Sequence, residues 1–249
     1  MRWKTRAIAM VVIVVLMAVS FVIPVSAISD GEVAAPSAIL MEPNTGKILY
    51  EKNANELRPC ASITKVMTLL LVMEAIDSGK ISLDDQVTAS AHAASMGGSD
   101  IWLKEGETMS VNDLIKATVI MSANDAAVVL AEHVYGTEDE FVKQMNIRAK
   151  QLGMNDTTFK NCNGLDEDGH LTTAHDVALM SAELIKHEKI FDYTLTWMDY
   201  VRDGETQLVN TNKLIRSYKG ITGLKTGTTS QAGSCISATA KRDNLSLVA

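Results

Sequence analysis

Apolar positions recur along the chain at two periods, and the switches between them divide it into elements. Ser37-Ala38-Ile39-Leu40-Met41-Glu42 and Lys47-Ile48-Leu49-Tyr50-Glu51 are strand-like runs around Pro43-Asn44-Thr45-Gly46, whose Pro and Gly suit a tight turn, so a β-hairpin is predicted. Asp30 to Pro36 is a short polar lead into it. From Ser62 to Ser78, Val66, Leu69, Leu70, Met73 and Ile76 fall at helical spacing, and Gly79 closes the helix. Residues 81–107 break into Ser-, Gly- and Asp-rich pieces, including Gly97-Gly98-Ser99-Asp100, and read as loop. Ser110-Val111-Asn112-Asp113 has the form of a capping box ahead of Leu114, Ile115, Thr118 and Val119. A second apolar stretch, Ala126 to Val134, follows Ser122-Ala123-Asn124-Asp125.

Glu138 to Leu152 reads as an amphipathic helix with Phe141, Val142, Met145, Ala149 and Leu152 on one side, stopped by Gly153. Thr173-Ala174-His175-Asp176 caps another, running to about Lys186. The period then returns to two: Gly220 to Thr228, Ala232 to Ala240 and Leu245 to Val248 are predicted strands. Two strands, a mainly helical middle and strands again imply a mixed α/β (α+β) domain in which both ends of the chain pair in one sheet, with helices packed on its faces. No internal repeat or linker interrupts it.

Composition narrows the function classes. The 249 residues are 47% hydrophobic, 21% charged and 5% aromatic, an ordinary globular mix that excludes collagen-like, disordered and disulfide-dense chains. The formal net charge of −7 includes three cations, Arg2, Lys4 and Arg6, at the N-terminus, so the remaining chain is more acidic still and repels nucleic-acid backbones. Those cations, the uncharged run Ala7 to Ile23 and Pro24-Val25-Ser26-Ala27 form the three parts of a secretory signal, residues 1–27. A retained membrane anchor is the competing reading, since the apolar run approaches the roughly 20 residues that span a bilayer. Either way, the body is expected to work outside the cytoplasm. Cys60, Cys162 and Cys235 are an odd number without Cys-x-x-Cys spacing, and the five histidines include no His-Glu-x-x-His pair. No metal or other cofactor is expected, and these eight residues read as packing or surface positions.

Three patterns carry candidate chemistry: Ser62-Ile63-Thr64-Lys65, Ser122-Ala123-Asn124 and Lys225-Thr226-Gly227. A Ser-x-x-Lys match alone is expected about once by chance in such a chain. Its setting adds meaning, because one helical turn places Ser62 and Lys65 on one face, and a hydroxyl needs a nearby base that burial can provide as a neutral amine. Alternatively Ser62 caps the helix and Lys65 is a solvated charge. Ser122 and Asn124 interrupt a helical stretch, so a turn there either pushes a hydroxyl and an amide into a cleft or makes a polar corner. In a strand, Lys225 and Gly227 face one way and Thr226 the other, with Gly227 leaving room for a ligand backbone. The other reading is an edge strand with a Lys guarding against aggregation.

The ordered set Ser-x-x-Lys, Ser-x-Asn, Lys-Thr-Gly resembles the penicillin-recognising serine enzymes. Further blocks are similar to the D-alanyl-D-alanine carboxypeptidases among them: Ala38 to Glu42 with Thr45 to Tyr50, Ser122 to Ala127, Phe159-Lys160-Asn161 with Asn163-Gly164-Leu165, His170 to Asp176, and Lys225 to Thr228 with Ala232 to Cys235. The resemblance implies a β-lactamase/transpeptidase-like fold with an antiparallel sheet, residues 28–249 forming the penicillin-binding catalytic domain. It implies removal of the terminal D-alanine from peptidoglycan stem pentapeptides, with β-lactams as inhibitors. Ser62 would attack the penultimate D-alanine carbonyl and Lys65 accept its proton; Ser122 would relay a proton to the departing D-alanine; Asn124 would bind the acyl-side amide. Lys225 and Thr226 would hold the terminal carboxylate beside Gly227, and the backbone N–H groups of Ser62 and Thr228 would form the oxyanion hole.

Two departures stand out. The family commonly continues into a β-rich C-terminal domain and often a membrane-associating helix, whereas this sequence stops at Ala249, and Cys60 stands where proline is usual. A β-lactamase is the near alternative, but its Glu-x-x-Leu-Asn segment is missing; a non-catalytic sensor or scaffold that captures β-lactams or wall peptides is the alternative of another class. N-terminal sequencing of exported protein is expected to begin at Ile28, and an intact Met1 on membrane-bound protein would refute cleavage after Ala27.

Overall fold

The computed structural model describes residues 28–249, so the predicted signal, residues 1–27, lies outside the described residues. The chain divides into an N-terminal unit ending at Ala34 and a body, Ala35–Ala249. The described part of the first unit holds one helical turn, Asp30–Glu32, in which the Ser29 backbone N–H and hydroxyl both donate to the Glu32 carboxylate.

In the body, β1 (Ala38–Glu42) and β2 (Lys47–Lys52) form the predicted hairpin. Glu42 fixes the turn by accepting from the Asn44 and Thr45 N–H groups and the Thr45 hydroxyl, and these bonds draw its carboxyl down to about 2. α1 (Lys65–Asp77) follows a single 3₁₀ turn, Ala61–Thr64. Its apolar positions read as one stripe in the sequence, yet nearly every residue from Lys65 to Ala75 is buried, so this helix runs through the core rather than along its edge.

The segment expected to be loop, residues 81–107, is more ordered than its composition suggests. It contains β3 (Gln86–Thr88), paired with β4 (Thr108–Ser110), and a helical turn, Ala91–Ala94, capped by the Ser90 hydroxyl. Burial of Val87 and Ala93 supplies the order that a Ser- and Gly-rich sequence hides. α2 (Val111–Lys116) starts at the predicted cap, Ser110 Oγ accepting from Asp113 N–H at 3.1 Å. It widens into a π-turn, Ala117–Met121, ends in left-handed Ser122, and restarts as α3 (Asn124–Tyr135).

α4 (Glu138–Gln151) buries Phe141, Met145 and Ala149. From its polar side Arg148 reaches Glu74 of α1 and, in α5 (Ala174–Leu184), Glu183. Thr173 Oγ caps α5 as expected. A second hairpin, β5 (Met198–Val201) with β6 (Thr206–Val209), was not foreseen; its exposed Met198, Tyr200 and Val209 blur the alternation that marks a strand.

The chain then returns to the main sheet as β7 (Ile221–Thr229), β8 (Gly233–Arg242) and β9 (Leu245–Val248). The sheet is antiparallel with order β2-β1-β9-β8-β7, so the two ends of the body pair directly through Met41 and Val248. α5 covers one face, where Ile39, Met41 and Val248 pack on Ala178 and Ala182, and Ser181 Oγ meets Ser237 Oγ at 2.8 Å. On the other face Leu40, Ala238 and Leu247 are half-buried and Ile236 is exposed, so the expected helices pack on one face of the sheet among the described residues.

Short ties hold the turn before α1. Arg58 and Thr172 exchange backbone hydrogen bonds at 2.8 and 3.0 Å, and Gly164, at φ +88°, lies so close that an added Cβ would overlap the Ala61 carbonyl oxygen. That backbone angle and contact admit no side chain. Gly164→Ala is accordingly expected to cost about 2–4 kcal/mol, read as a lower denaturation midpoint at unchanged m-value.

Candidate active site

The three motifs converge. Ser62 sits half-buried in the 3₁₀ turn at the head of α1, with Ala61 before it in the left-handed region at φ 49°. Lys65, one turn on and 0% exposed, places its Nζ 3.0 Å from Ser62 Oγ. The same Nζ donates to Asn124 Oδ1 at 2.6 Å and to the Asn163 carbonyl at 2.6 Å. The reading of Lys65 as a solvated surface charge is thereby excluded.

This trio of acceptors decides what the amine can do. As an ammonium, Lys65 satisfies all three oxygens with its three protons. As a free amine it has two protons and one lone pair, and neither the Asn163 carbonyl nor Asn124 Oδ1 can donate to that lone pair. Those two keep the N–H bonds, so the lone pair faces the Ser62 hydroxyl. Burial drives the Lys65 amine down to about 7, against the pull of Cys162, Asp100 and Asp125, which puts the exchange between the two forms near neutrality.

Asn124, expected to bind the acyl-side amide, is engaged within the chain through both ends of its side-chain amide. Its Oδ1 accepts from Lys65, its Nδ2 donates to Gly97 O at 2.6 Å, and its backbone N–H donates to Ser99 O at 2.6 Å. Since Gly97 O can only accept, this bond also fixes the amide's orientation, with its oxygen towards the lysine. Next to it Asp125 accepts from the Ile101 and Leu103 N–H groups, so the start of α3 holds the 97–103 strand of loop along the site.

Ser122 is 5% exposed, holds φ 65°, and its Oγ has no hydrogen-bond partner among the described residues. A non-glycine residue in that conformation, following a π-turn, stores strain of about 1–2 kcal/mol. It is the corner that the interrupted helix implied, with a hydroxyl available for a bond that the resting protein does not make.

β7 brings the third motif. Lys225 is 1% exposed, and its Nζ donates to Thr226 O at 2.9 Å; burial and the proximity of Lys65 hold its amine well below the usual lysine range. The strand is an edge, as one reading had it, but this Lys faces inward and guards nothing. Thr226 Oγ1 shares a 2.6 Å hydrogen bond with Thr211 Oγ1. Gly227 packs on the turn of Ser62: a Cβ there would meet Ser62 N at 2.9 Å, Ala61 Cβ at 3.1 Å and Cys60 O at 3.1 Å. Thr228, the next residue, is exposed, and its hydroxyl donates to Gly227 O.

Several contributors escaped the sequence reading. Asn163 acts through its backbone carbonyl, which residue type cannot reveal, and Thr211 lies in no motif. Asp166 accepts from the Thr229 and Ser230 hydroxyls and from Gln231 N–H, tying the 163–166 loop to the end of β7. Beneath the turn, His170 Nδ1 accepts from Lys160 N–H, so the neutral ring carries its proton on Nε2 and donates to Thr64 Oγ1 at 2.8 Å; burial drives the imidazole down to about 4. Thr64 in turn meets Cys60 Sγ at 3.3 Å, and burial pushes that thiol up to about 11, consistent with packing. All three cysteines are free, and no group of three or more His, Cys, Asp or Glu among the described residues could hold a metal ion.

Comparison with known proteins identifies the family. Residues 24–249 match the family model of the D-alanyl-D-alanine carboxypeptidases, Peptidase S11. The chain is 51% identical over 218 residues to D-alanyl-D-alanine carboxypeptidase DacF of Bacillus subtilis, covering 86% of this chain and 56% of the relative. It is 37% identical to DacC of Escherichia coli, covering 90% and 59% respectively. It therefore spans a little over half the length of these relatives. Among solved structures, penicillin-binding protein D2 of Listeria monocytogenes in its ampicillin-bound form superposes with a TM-score of 0.78 at 36% identity, over 86% of this chain and 87% of that one. Penicillin binding protein 5 of Haemophilus influenzae gives 0.83 at 31% identity, over 89% and 65%.

Proposed function

The chain belongs to the D-alanyl-D-alanine carboxypeptidase family, and from that premise we propose that it is a serine carboxypeptidase that removes the terminal D-alanine of peptidoglycan stem peptides through an acyl-enzyme on Ser62. The observation that carries this reading is the 3.0 Å contact between Ser62 Oγ and a buried amine whose other two partners can only accept. In the proposed cycle Lys65 takes the Ser62 proton as Oγ attacks the penultimate D-alanine carbonyl. The oxyanion rests on the backbone N–H groups of Ser62 and Thr228; the tight seating of Gly227 on Ser62 N supports that pairing by laying β7 beside the nucleophile. Losing one such donor typically costs about 3–4 kcal/mol of barrier.

Ser122, whose hydroxyl is unengaged, relays to the departing D-alanine nitrogen the proton that Lys65 took from Ser62, so that Ser122 ends as a hydroxyl and Lys65 as a free amine. Lys225 and Thr226 receive the substrate carboxylate, whose charge favours the ammonium form of Lys225 that burial and Lys65 oppose. Asn124 serves first as the clamp on Lys65, and its contact with the acyl-side amide requires exchange of its bond to Gly97. Water then attacks the acyl ester as Lys65 takes its proton, and Ser62 leaves with that proton handed on by Lys65. The same Ser62 is the site of acylation by β-lactams, in keeping with the ampicillin-bound form of the Listeria relative. We place this activity outside the cytoplasm, at the cell wall, with residues 1–27 as the export signal and 28–249 as the catalytic domain.

Purified protein is expected to release D-alanine from a stem pentapeptide; binding without release would leave a capture domain instead. Ser62→Ala is expected to abolish the penicillin mass adduct with little change in the melting temperature, and persistent labelling elsewhere would overturn the assignment. The acylation rate is expected to rise through pH about 7 as Lys65 loses its proton, falling tenfold per unit below it. A profile flat from about pH 5 to 9 would exclude Lys65 as the base.

A further inference from the structure

One large side chain on the loop beside the site has no part in the cycle above. Trp102 is 74% exposed, more than any other large apolar residue among the described ones, and holds φ 55° in the left-handed region. Its surroundings fix it there. Ile101 and Leu103 on either side are buried, and their N–H groups donate to the Asp125 carboxylate at 3.2 and 2.9 Å. The Ile101 carbonyl accepts from Arg202 Nη1 at 2.9 Å, and Arg202 Nε donates to Glu107 at 2.6 Å, so the turn between β5 and β6 is bolted to the same loop. A disfavoured backbone persists where its neighbours over-determine it, and here the result is an indole held rigidly out in water.

Trp102 lines a cleft of about 670 Å³ together with Lys104, Glu105, Glu107, Arg202 and Glu205. That volume falls within the roughly 300–1,000 Å³ of small-ligand sites. The lining decides which chemistry fits. Three acids against two bases disfavour an anionic lipid surface or a polyanion. A flat apolar ring beside side chains that donate and accept hydrogen bonds matches a sugar, which offers a C–H face to the indole and a rim of hydroxyl groups to its neighbours. The cleft also adjoins the site along the chain: Ser99, three residues before Trp102, accepts from Asn124 N–H at 2.6 Å, and Gly97 O accepts from the Asn124 side chain.

We propose that the Trp102 cleft binds a sugar ring of the glycan strand from which the stem peptide hangs, so that the protein takes glycan-linked peptide in preference to free peptide. The inference rests on the carboxypeptidase reading, in which the acyl side of the substrate lies at Asn124. A stem peptide joins its glycan at that same end, and the loop that Asn124 holds carries Trp102. The lengths agree. Three residues of loop reach at most about 11 Å from Ser99, and the four residues of stem peptide left after D-alanine departs reach at most about 14 Å. Arg202 is a positioning residue for this cleft, because its bonds to Ile101 O and Glu107 hold the loop and the hairpin together as its walls.

The test compares D-alanine release from a disaccharide-pentapeptide and from the same pentapeptide without sugar. The parent is expected to show a several-fold lower KM for the glycan-linked substrate. In Trp102→Ala the ratio of kcat/KM between the two substrates is expected to fall several-fold, and Trp102→Phe, which keeps a stacking face, to recover most of it. An equal loss on both substrates, the mark of a merely structural role, would overturn the proposal, as would a ratio that the Ala variant leaves unchanged. If the Ala variant does not fold, Trp102→Asn, which suits a left-handed backbone, carries the same expectation. A second readout needs no turnover: titration with an oligomer of N-acetylglucosamine is expected to shift the tryptophan fluorescence of the parent saturably to shorter wavelength, and the shift to vanish in Trp102→Ala. No shift in the parent refutes the site, as does a shift retained in the variant, which would belong to Trp197. A shift caused by vesicles of anionic lipid and not by the oligomer makes Trp102 a membrane contact and refutes it equally. If the parent releases D-alanine from neither substrate, the carboxypeptidase reading fails, and the fluorescence still decides this one.

Discussion

An amine deprived of water is the constraint on which this structure turns. Lys65 is fully buried, and each proton of its charged form meets an oxygen supplied by a different part of the chain: the 3₁₀ turn, the start of α3 and the loop after α4. Moving any one of them would leave a buried donor unpaired, at about 1–3 kcal/mol. Two of these regions lie 59 and 98 residues from the lysine in sequence, so the site is also a long-range staple of the fold. In the proposed cycle, the contacts that make Lys65 a base are also those that tie these three parts of the chain together.

That economy explains the unusual backbone nearby. Ala61 and Ser122 both occupy the left-handed region, and a π-turn precedes Ser122. Such conformations persist where their surroundings over-determine them. Here Gly164 and Gly227 press on the turn of Ser62 from two sides, while Asn124 is held by Gly97, Ser99 and Lys65 together. Packing against neighbours compensates for local strain and presents the hydroxyls at defined places.

Much of this was legible from residue patterns. The hairpin at the start, the caps at Ser110 and Thr173, the stop at Gly153 and the return of the chain to the first sheet follow from periodicity and turn chemistry that tertiary contacts reinforce. The three motifs located Ser62, Lys65 and Asn124, which the structure brings into contact, and the Lys225-Thr226-Gly227 strand, which it lays against the turn of Ser62. The parts that stayed hidden act through groups every residue possesses, such as the Asn163 carbonyl, or through burial that no short window contains, as with Val87. The β5–β6 hairpin was missed because its exposed apolar side chains remove the contrast between its faces. Gly227 shows what residue type alone does not reveal: the glycine makes room for the turn that carries Ser62.

The chain of contacts from Lys160 through His170 and Thr64 to Cys60 places a sulfur two residues from the nucleophile, yet seals it beneath the turn as a neutral thiol. Oxidants attack thiolates that solvent can reach, and this one is neither charged nor accessible. A protein built this way can keep a cysteine next to its reactive serine in an oxidising environment, because peroxide would have to prise the turn open first. Inactivation by such reagents would then keep pace with the opening of the fold, and the sulfur would record how often that turn breathes.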